Sequence, residues 1–299
     1  MVLDVAFVGH FARDRLVYRG TTEIASGGGV YYGSMAVRRL GFSVAVITKL
    51  HPDDFGWLDE LRQHGIEVHA APAPQTTGIE NIYPTEDMDR RICHPLGFAG
   101  PFSLDEIPLV DARVTVITPL MAGEVDNDIV RALVSRGAVG LDVQGFVRVR
   151  EGDGLVTKDW TGKTTDLAGV TYLKVDDAEA EVLTGETDRR KAAAILAALG
   201  PCEILLTSAR GVLAYAGGEF FEAPFVNRSV TGRTGRGDTC FSTYVASRLR
   251  LSPGEACRLA AAVTSLKMEQ PGPYRGTRED AERLAAAAGL LGPYPKDSE

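Results

Sequence analysis

Three glycines and an aspartate stand close together in the stretch TGRTGRGDTCFSTYVASRL, residues 231–249. Gly235 and Gly237 permit backbone angles that other residues avoid, and a helical apolar pattern follows at once. A glycine-rich turn at a helix start can direct several backbone N–H groups to one point, where the helix dipole adds about half a positive charge. We therefore predict an anion hole over 235–238.

Asp238 is an unusual residue for an anion-binding turn, because its carboxylate would repel a bound phosphate unless it faced another group. A hydroxyl nucleophile supplies that group, since the carboxylate can accept its proton while nearby N–H groups stabilise a transferring phosphoryl group. The plain alternative is that Asp238 caps the helix and the glycines only form a tight turn. A cell-adhesion role for Arg236-Gly237-Asp238 would require an exposed extended loop, which the following helix disfavours.

Apolar periodicity predicts an α/β fold that would hold these groups at one edge of a sheet. Strands are predicted at 3–9, 43–49, 114–118, 138–142, 170–175 and 203–207, and helices at 30–40, 54–64, 126–135 and 188–199. Strands that alternate with helices indicate a mostly parallel central sheet with helices on both faces. Ligands bind beyond the carboxyl ends of the strands in such sheets.

Residues 15–25 and 76–94 interrupt this alternation with extended segments that lack an intervening helix. We predict that they pair into a small β-strand lid over the ligand edge, which would exclude water during the reaction. Asn81, Tyr83 and Arg91 would then close over the substrate. The alternative is that the two segments are surface hairpins without a role.

The bulk composition is that of an ordinary globular protein. The 299 residues, 44% hydrophobic, can bury a full core, so we predict a single domain over 1–299. A formal net charge of −8 offers no basic surface to nucleic acid. No apolar run or leader pattern predicts a membrane span or export. The four dispersed cysteines favour a cytoplasmic location.

The segment around Asp238 resembles the second signature of the ribokinase-like (PfkB) family, D-T-x-G-A-G-D followed by an apolar helix. Gly235, Arg236, Gly237 and Asp238 match its G-A-G-D. The resemblance implies that Asp238 is the catalytic base and that the backbone of these four residues forms the anion hole. Gly232 stands where the family has its first Asp, and Arg236 replaces a small Ala, which would add a guanidinium near the phosphates.

Residues 26–41, SGGGVYYGSMAVRRLG, resemble the family's first signature, with Gly27 and Gly28 in the positions of its Gly-Gly pair. In the family this pair is a hinge between lid and core that also contacts the substrate, and adjacent glycines can absorb large dihedral changes. Tyr32 replaces the usual Asn, which implies a substrate pocket different from that of ribokinase. On its own, the glycine run would indicate only a turn.

Residues 173–185, LKVDDAEAEVLTG, resemble the family's strand-to-helix segment K-x-N-x-x-E-x-x-x-L-T-G. Asp176 replaces the Asn, and Glu179 matches the Glu. Both carboxylates suit a magnesium-phosphate site through bound water, because Mg²⁺ prefers oxygen ligands and keeps part of its hydration shell. Helix capping by Asp176 or Asp177 is the alternative.

Residues 205–217, LLTSARGVLAYAG, resemble the family's nucleotide-binding strand and turn, although Ser208 replaces the first Gly of its G-x-x-G. The resemblance implies that four residues contact the phosphates or ribose of ATP: Thr207, Ser208, Arg210 and Gly211. It also implies that 262–274 borders the adenine. The chain has no G-x-x-x-x-G-K-[ST] motif, so a P-loop is not the phosphate cradle.

Asp14, after the first strand, matches the family's substrate-binding Asp, and a short carboxylate can accept two hydrogen bonds from a diol. A turn-forming Asp is the alternative. Gln144 and Arg148, in LDVQGFVR, lie at the end of another strand and are further candidates for substrate contacts. This segment and the YYGS helix start resemble the inositol-kinase-like branch of the family.

The resemblance thus implies an ATP- and Mg²⁺-dependent kinase that transfers the γ-phosphoryl group to a hydroxyl of a small sugar or polyol. A nucleoside kinase is an alternative, because bases stack on aromatic rings such as Tyr31, Tyr32 and Tyr83. A catalytically silent sugar or nucleotide sensor is another, because several motif positions are substituted. We expect no nucleic-acid or membrane partner, and lid strand edges that could pair in a homodimer. The missing G-x-G-x-x-G disfavours a dinucleotide-dependent oxidoreductase.

Overall fold

The computed structural model describes residues 2–18, 20–85 and 92–289. Its strands, in chain order, are β1 (Leu3–Val8), β2 (Ala12–Tyr18), β3 (Thr21–Gly27), β4 (Val44–Leu50), β5 (Glu67–Pro72), β6 (Gly78–Tyr83), β7 (Ile92–Gly97), β8 (Ala112–Ile117), β9 (Ala138–Asp142), β10 (Arg148–Glu151), β11 (Gly154–Thr157), β12 (Tyr172–Asp176), β13 (Glu203–Thr207), β14 (Gly211–Ala216) and β15 (Glu219–Pro224). The helices are α1 (Gly29–Arg39), α2 (Asp59–Gln63), α3 (Asn127–Val134), α4 (Gln144–Val147), α5 (Lys163–Asp166), α6 (Asp177–Thr184), α7 (Arg189–Ala197), α8 (Arg236–Arg248), α9 (Pro253–Met268) and α10 (Arg278–Ala287).

Nine strands form a central sheet in the order β15-β14-β13-β12-β9-β8-β1-β4-β5. From β13 to β5 every neighbouring pair is parallel, while β14 and β15 add an antiparallel hairpin at one edge. All six strands predicted from apolar runs belong to the parallel part, so the predicted α/β fold is confirmed. Parallel strands expose their carboxyl ends at one edge, where β9, β12 and β13 bring their last residues together.

Helices cover both faces of this sheet, as the strand sequences require. Successive residues of a strand point to opposite faces, so Phe7 of β1 packs with α1 and α8 while Val8 packs with the helices of the other face. Phe241 on α8 is fully buried, and burial of such a side chain contributes about 1.5–3 kcal/mol. Helix α8 is buried nearly all round because α1, α9 and the sheet surround it.

A second sheet of four strands lies beside the carboxyl edge, in the order β3-β2-β6-β7. Strand β2 pairs antiparallel with β3 and parallel with β6, so the two extended segments noted in the sequence share one sheet. We call this sheet the lid. Its alternate residues Asp14, Leu16, Asn81 and Tyr83 are buried. The lid candidate Arg91 lies outside the described residues.

Some elements were not predicted. Strand β5 and the hairpin of β14 and β15 extend the sheet at its two edges, and β10 and β11 form a separate hairpin. The predicted helix at 54–64 is a 3₁₀ segment, Pro52–Leu58, followed by the short α2. Over the described ranges, no helix is both long and apolar enough to cross a lipid bilayer.

Candidate active site

A polar cavity of about 80 Å³ lies at the carboxyl ends of β9, β12 and β13. Its lining is Gln144, Arg148, Lys174, Asp176, Thr207, Arg233, Gly235, Arg236, Gly237 and Asp238. Eight of these ten residues are site residues predicted from the sequence, drawn from four separate segments. Only Lys174 and Arg233 were not singled out. The fold therefore brings the predicted catalytic turn, the substrate candidates of α4 and two of the cofactor candidates to one place.

The glycine turn forms the start of α8. Gly235 is the N-cap residue of α8 and has a φ of 81°. It faces the ring of Tyr32, and a Cβ at position 235 would lie 2.3 Å from Tyr32 Cγ. Both the left-handed backbone and the close ring require glycine. The helical hydrogen bonds begin where Thr239 N–H donates to Gly235 O, so the amide of Gly237 lies in the first turn, at the positive end of the helix.

Asp238 is the third residue of α8 and not its cap. Its Oδ1 lies so close to α1 that a Cβ on Gly29 would be 3.0 Å away, and the same Cβ would be 2.5 Å from Thr118 Cβ. The interpretation of Asp238 as a capping residue is therefore wrong. The carboxylate instead lies between the cavity and the first residues of α1.

The glycine run before α1 separates two carboxylates. A Cβ on Gly27 would be 2.2 Å from Asp14 Oδ2, whereas Gly29 faces Asp238. Between them, Gly28 has a φ of 93° and is the N-cap of α1. The sequence pointed to Gly27 and Gly28 as substrate contacts, and the structure adds that the run lets Asp14 and Asp238 approach the same short segment of backbone.

Asp14 connects two lid strands to this segment. It is 5% exposed, and its Oδ1 accepts a hydrogen bond of 2.9 Å from the N–H of Ile79 on β6. A hydrogen bond to a charged group contributes about 1.5–3 kcal/mol, which fixes the side chain against the lid. The second oxygen lies beside Gly27.

Three tyrosines that the sequence suggested as stacking partners, Tyr31, Tyr32 and Tyr83, are each in contact with other parts of the protein. Tyr31 donates its hydroxyl to Glu60 Oε2 at 2.7 Å, and the buried ring of Tyr32 packs on Gly235. Burial raises the pKa of Tyr32 well above its usual value. Tyr83 hydrogen-bonds Thr234 Oγ1 at 2.9 Å, which joins the lid to the segment that leads into α8.

A buried ionic cluster lies behind the cavity. Lys174 Nζ is 3.1 Å from Asp142 Oδ1 and 3.3 Å from Glu179 Oε2. Burial acts to lower the pKa of Lys174, but the two carboxylates outweigh it and raise the pKa above its ordinary value. Burial also raises the pKa of Glu179, against the effect of the ammonium group. Lys174 is thus a cation that β12 holds at the wall of the cavity. Its Cε would lie 3.4 Å from a Cβ placed on Gly237.

Asp176 and Glu179 form a capping box at the start of α6. Asp176 Oδ1 accepts the N–H of Glu179 at 2.8 Å, and Glu179 Oε2 accepts the N–H of Asp176 at 2.7 Å. The capping interpretation of Asp176 is therefore correct for one of its oxygens, while the residue also lines the cavity.

The remaining cofactor candidates lie apart from the cavity, except for Thr207. Ser208 Oγ accepts the N–H groups of Arg210 and Gly211, and so forms the turn between β13 and β14. A Cβ on Gly211 would be 2.5 Å from Ala223 O, so glycine is needed there for strand pairing. These three residues shape the hairpin and are not among the residues that line the cavity.

The segment expected beside an adenine is hydrogen-bonded to the chain that leads to α8, and it also lines a cavity of about 500 Å³. Val226 N–H donates to Ser265 Oγ at 2.9 Å, Arg228 N–H to Glu269 Oε1 at 2.8 Å, and Gly232 N–H to Met268 O at 2.8 Å. The chain from 226 to 232 is thereby bound directly to the end of α9 and the residue after it.

Comparison with known proteins assigns the chain to a family. The model of the pfkB family carbohydrate kinases matches residues 4–280. A solved pyrophosphate-dependent kinase of the ribokinase family, complexed with a pyrophosphate analogue and myo-inositol, is 39% identical over 93% of this chain and 99% of its own, with a TM-score of 0.86. A cytidine kinase from Thermococcus kodakarensis is 25% identical over 86% of this chain and 92% of that protein. Arabidopsis thaliana ribokinase, complexed with ribose and ATP, is 19% identical over 98% of this chain and all of its own, with a TM-score of 0.76, and shares the fold.

Proposed function

This chain belongs to the pfkB family of carbohydrate kinases, and from that premise we propose that it transfers a phosphoryl group from pyrophosphate to a hydroxyl of a small polyol of the inositol class. Family membership makes it a phosphotransferase with an alcohol group as acceptor. The identities of the phosphoryl donor and of the acceptor are the parts of the proposal that go beyond family membership. The observation that carries the proposal is the composition of the 80 Å³ cavity in front of Asp238.

The size and lining of the cavity favour a compact, highly charged donor. Pockets for nucleotide-sized ligands measure about 300–1,000 Å³ and are lined mainly by apolar and aromatic side chains. This cavity measures about 80 Å³, and none of its ten lining residues is aliphatic or aromatic. Its four cationic side chains are Arg148, Lys174, Arg233 and Arg236. Guanidinium groups bind phosphate oxygens in pairs, so this set suits a pyrophosphate.

The contacts of the 226–232 segment support the same donor. This segment is hydrogen-bonded to Ser265, Met268 and Glu269, which belong to the stretch expected beside an adenine. A base could enter between these bonded segments only after the bonds had broken, whereas the cavity of about 500 Å³ beside the same stretch is where the competing donor ATP would place its base. The pyrophosphate dependence of a relative 39% identical to this chain agrees with this argument. ATP, the donor expected from the sequence, is the competing donor.

The lid residues favour a polyol over a nucleoside. Asp14 and Asn81 place oxygen and amide groups on the buried face of the lid, where hydroxyl groups can be bound. The rings that could have stacked on a base pack on other residues: Tyr31 edge-to-face with Phe11, Tyr32 on Gly235, and Tyr83 stacked on Tyr18. The myo-inositol complex of the relative supports the same substrate class.

The mechanism follows from the position of Asp238. Its carboxylate accepts the proton of the attacking hydroxyl, whose oxygen forms a bond to the terminal phosphorus while the bridging P–O bond of the donor breaks. The first-turn amide of Gly237 and the side chain of Arg236 stabilise the negative charge of the transferring group. The orthophosphate leaving group takes the electron pair of the broken P–O bond, and the remaining cations of the cavity lining, Arg148, Lys174 and Arg233, would stabilise its charge.

The residues present fit a hydrated Mg²⁺. Within the described residues no group of three or more His, Cys, Asp or Glu could hold a metal by itself. Mg²⁺ needs no such group, because it takes one or two carboxylates, several waters and the phosphates of the substrate. Asp176 lines the cavity and would contribute a carboxylate, with Glu179 behind it, and the ion would neutralise part of the donor charge.

The proposal is tested by assaying each phosphoryl donor with each acceptor. We expect turnover with pyrophosphate and an inositol in the presence of Mg²⁺, measured as phosphorylated product, and little or none with ATP. Turnover with ATP but not with pyrophosphate would refute the donor, and a preference for cytidine or ribose over inositols would refute the acceptor.

Arginine variants sharpen the test of the donor. Arg236→Ala should raise the KM for pyrophosphate by about tenfold or more, because a charge-assisted hydrogen bond contributes about 1.5–3 kcal/mol. Arg283→Ala is the matched control, since Arg283 lies on α10 and pairs with Asp280, away from the cavity. Equal KM values for the two variants would contradict a donor-binding role for Arg236.

A further inference from the structure

A lysine within the segment 262–274, not singled out as a residue from the sequence, lies beneath the anion-binding turn. Lys267, on α9, is 2% exposed. Its Nζ donates hydrogen bonds to the backbone oxygens of Gly232 and Thr234, the two residues that lead into the N-cap of α8. The ammonium group also lies 5.1 Å from the centre of the Tyr32 ring. The same ring packs against Gly235, the N-cap of α8.

The backbone at this point is confined from several sides. Gly232 N–H donates to Met268 O, and a Cβ on Gly232 would lie 1.8 Å from Gln270 O, so the turn is pressed against the end of α9. Carbonyl oxygens of Gly232 and Thr234 point to the same spot, and a buried carbonyl without a donor costs about 1–3 kcal/mol. A cation is the group that two converging carbonyl dipoles bind best.

Resting on the function proposed above, we propose that the Lys267 ammonium group is a built-in cation that positions the anion-binding turn, so that phosphoryl transfer requires no monovalent metal ion. Lys267 is a positioning residue: it acts through the backbone of 232–235 on Gly237 and Asp238. Burial lowers the pKa of Lys267 to about 7, and the nearby Asp238 carboxylate opposes that shift. The two backbone oxygens and the Tyr32 ring that face Nζ favour the charged form of the amine, against the cost of its desolvation.

Two substitutions separate a positioning cation from a side chain that only packs. Lys267→Ala removes the charge and leaves a space that a small cation can enter, whereas Lys267→Met removes the charge but keeps most of the volume. We expect both variants to lose about a hundredfold in kcat, the loss typical of a misplacement of about 1 Å. Potassium, ammonium or methylammonium chloride should restore turnover in the Ala variant but not in the Met variant. The same salts should leave the turnover of the wild type unchanged.

Lys49→Ala is the matched control. Lys49 is also a buried lysine, its Nζ donates to Pro101 O at 2.9 Å, and it pairs with Glu106 away from the cavity. This variant should lose stability but show no cation-dependent change in kcat. Wild-type turnover in Lys267→Met, or a loss in Lys267→Ala that no cation relieves, would overturn the proposal.

Thermal unfolding keeps this inference separate from the proposed reaction. The melting temperature of Lys267→Ala should rise in potassium or ammonium chloride relative to an equal concentration of tetramethylammonium chloride, and that of the wild type should not. This readout needs no substrate. An inactive wild type with such a melting shift would refute the reaction alone, and an active wild type without the shift and without rescue would refute the built-in cation alone.

Discussion

At the scale of single residues, the site depends on two carboxylates brought to the same glycine run. Asp14 lies against Gly27, and Asp238 lies against Gly29. One carboxylate is held by the lid and the other by α8, and we propose that a substrate hydroxyl meets both at the glycine run between them. The roles of these residues can be tested one atom at a time.

Replacement of Asp238 by Asn should remove the proton acceptor while keeping the shape of the side chain. Turnover should fall at least about a hundredfold, the lower range for loss of a general base, with unchanged folding. Asp280→Asn is the control, because Asp280 occupies the same third position of α10 and is remote from the cavity. Steady-state kinetics and thermal unfolding of both variants check this, and near-normal turnover in Asp238→Asn would remove the residue from the mechanism.

Gly29→Ala should impair catalysis through crowding. The added methyl group would be 2.5 Å from Thr118 Cβ and 3.0 Å from Asp238 Oδ1, so the carboxylate or the helix must shift. We expect kcat to fall by about tenfold to a hundredfold, given the cost of a displacement of about 1 Å. Gly56→Ala, where no atom lies within 4 Å of the new Cβ, should leave kcat unchanged. The idea fails if the two variants have the same kcat.

At the scale of elements, the hydroxyl of Tyr83 connects the lid to the glycine turn at the start of α8. Strand β6 ends at Tyr83, which bonds Thr234 and stacks on Tyr18 at 4.7 Å between ring centres. The lid is therefore fastened to the same backbone that Lys267 holds from below. Opening of the lid must break this hydrogen bond.

Tyr83→Phe should loosen the lid without unfolding the protein. A hydrogen bond contributes a net amount of about 0.5–1.5 kcal/mol, so the KM for the acceptor should rise by about twofold to tenfold. Amide hydrogen exchange in β6 should become faster, while that in β1 should not. Tyr215→Phe on β14 is the control, and equal exchange in β6 for both variants would contradict the fastening role.

Secondary-structure elements could be predicted from the sequence more completely than the long-range contacts of individual side chains. The six parallel strands follow from local apolar runs, and the anion-binding turn follows from glycines next to a helix pattern. Lys174 and Lys267 were missed because each stands in an apolar segment, four residues from Val170 and Val263, and their carboxylate or carbonyl partners come mainly from distant parts of the chain. A charged residue at a core position of a helix or strand was the available signal.

The donor that we propose, pyrophosphate, differs from the ATP that the resemblance implies for a similar reason. The motif around 205–217 pointed to a nucleotide, yet Ser208 and Gly211 serve the hairpin turn. Whether a base has room depends on the contacts of 226–232 with α9, which join segments about 40 residues apart. Such long-range packing leaves no local pattern in the sequence.

At the scale of the whole molecule, Glu124 links the end of β1 to the loop after β8. It accepts N–H groups of His10 at 2.6 Å and Leu120 at 2.8 Å, and His10 bonds Thr77 beside the lid at 2.8 Å. Burial raises the pKa of Glu124 to about 8, and burial lowers the pKa of His10 to about 3. The pair is therefore neutral in the folded protein near pH 6.

The pH dependence of unfolding should report this pair. Between pH of about 4.5 and 8 the folded protein keeps a proton on Glu124 that the unfolded chain has released, so this group lowers the free energy of unfolding as pH rises. Glu124→Gln cannot lose a proton, and its free energy of unfolding should fall less steeply between pH 6.5 and 8. Urea unfolding at several pH values checks the difference, and parallel curves would refute it.

The order of strands in the lid also constrains how the molecule acquires its fold. Strand β2 is paired with β6, but α1, β4, α2 and β5, all part of the core layers, lie between them in the chain. Until β6 arrives, β2 and β3 form a lone hairpin, which has little stability in water. Synthesis from the N-terminus must therefore produce three strands of the central sheet, β1, β4 and β5, before β6 can join the lid. The sheet that we propose to cover the substrate is thus completed only after part of the core has been made.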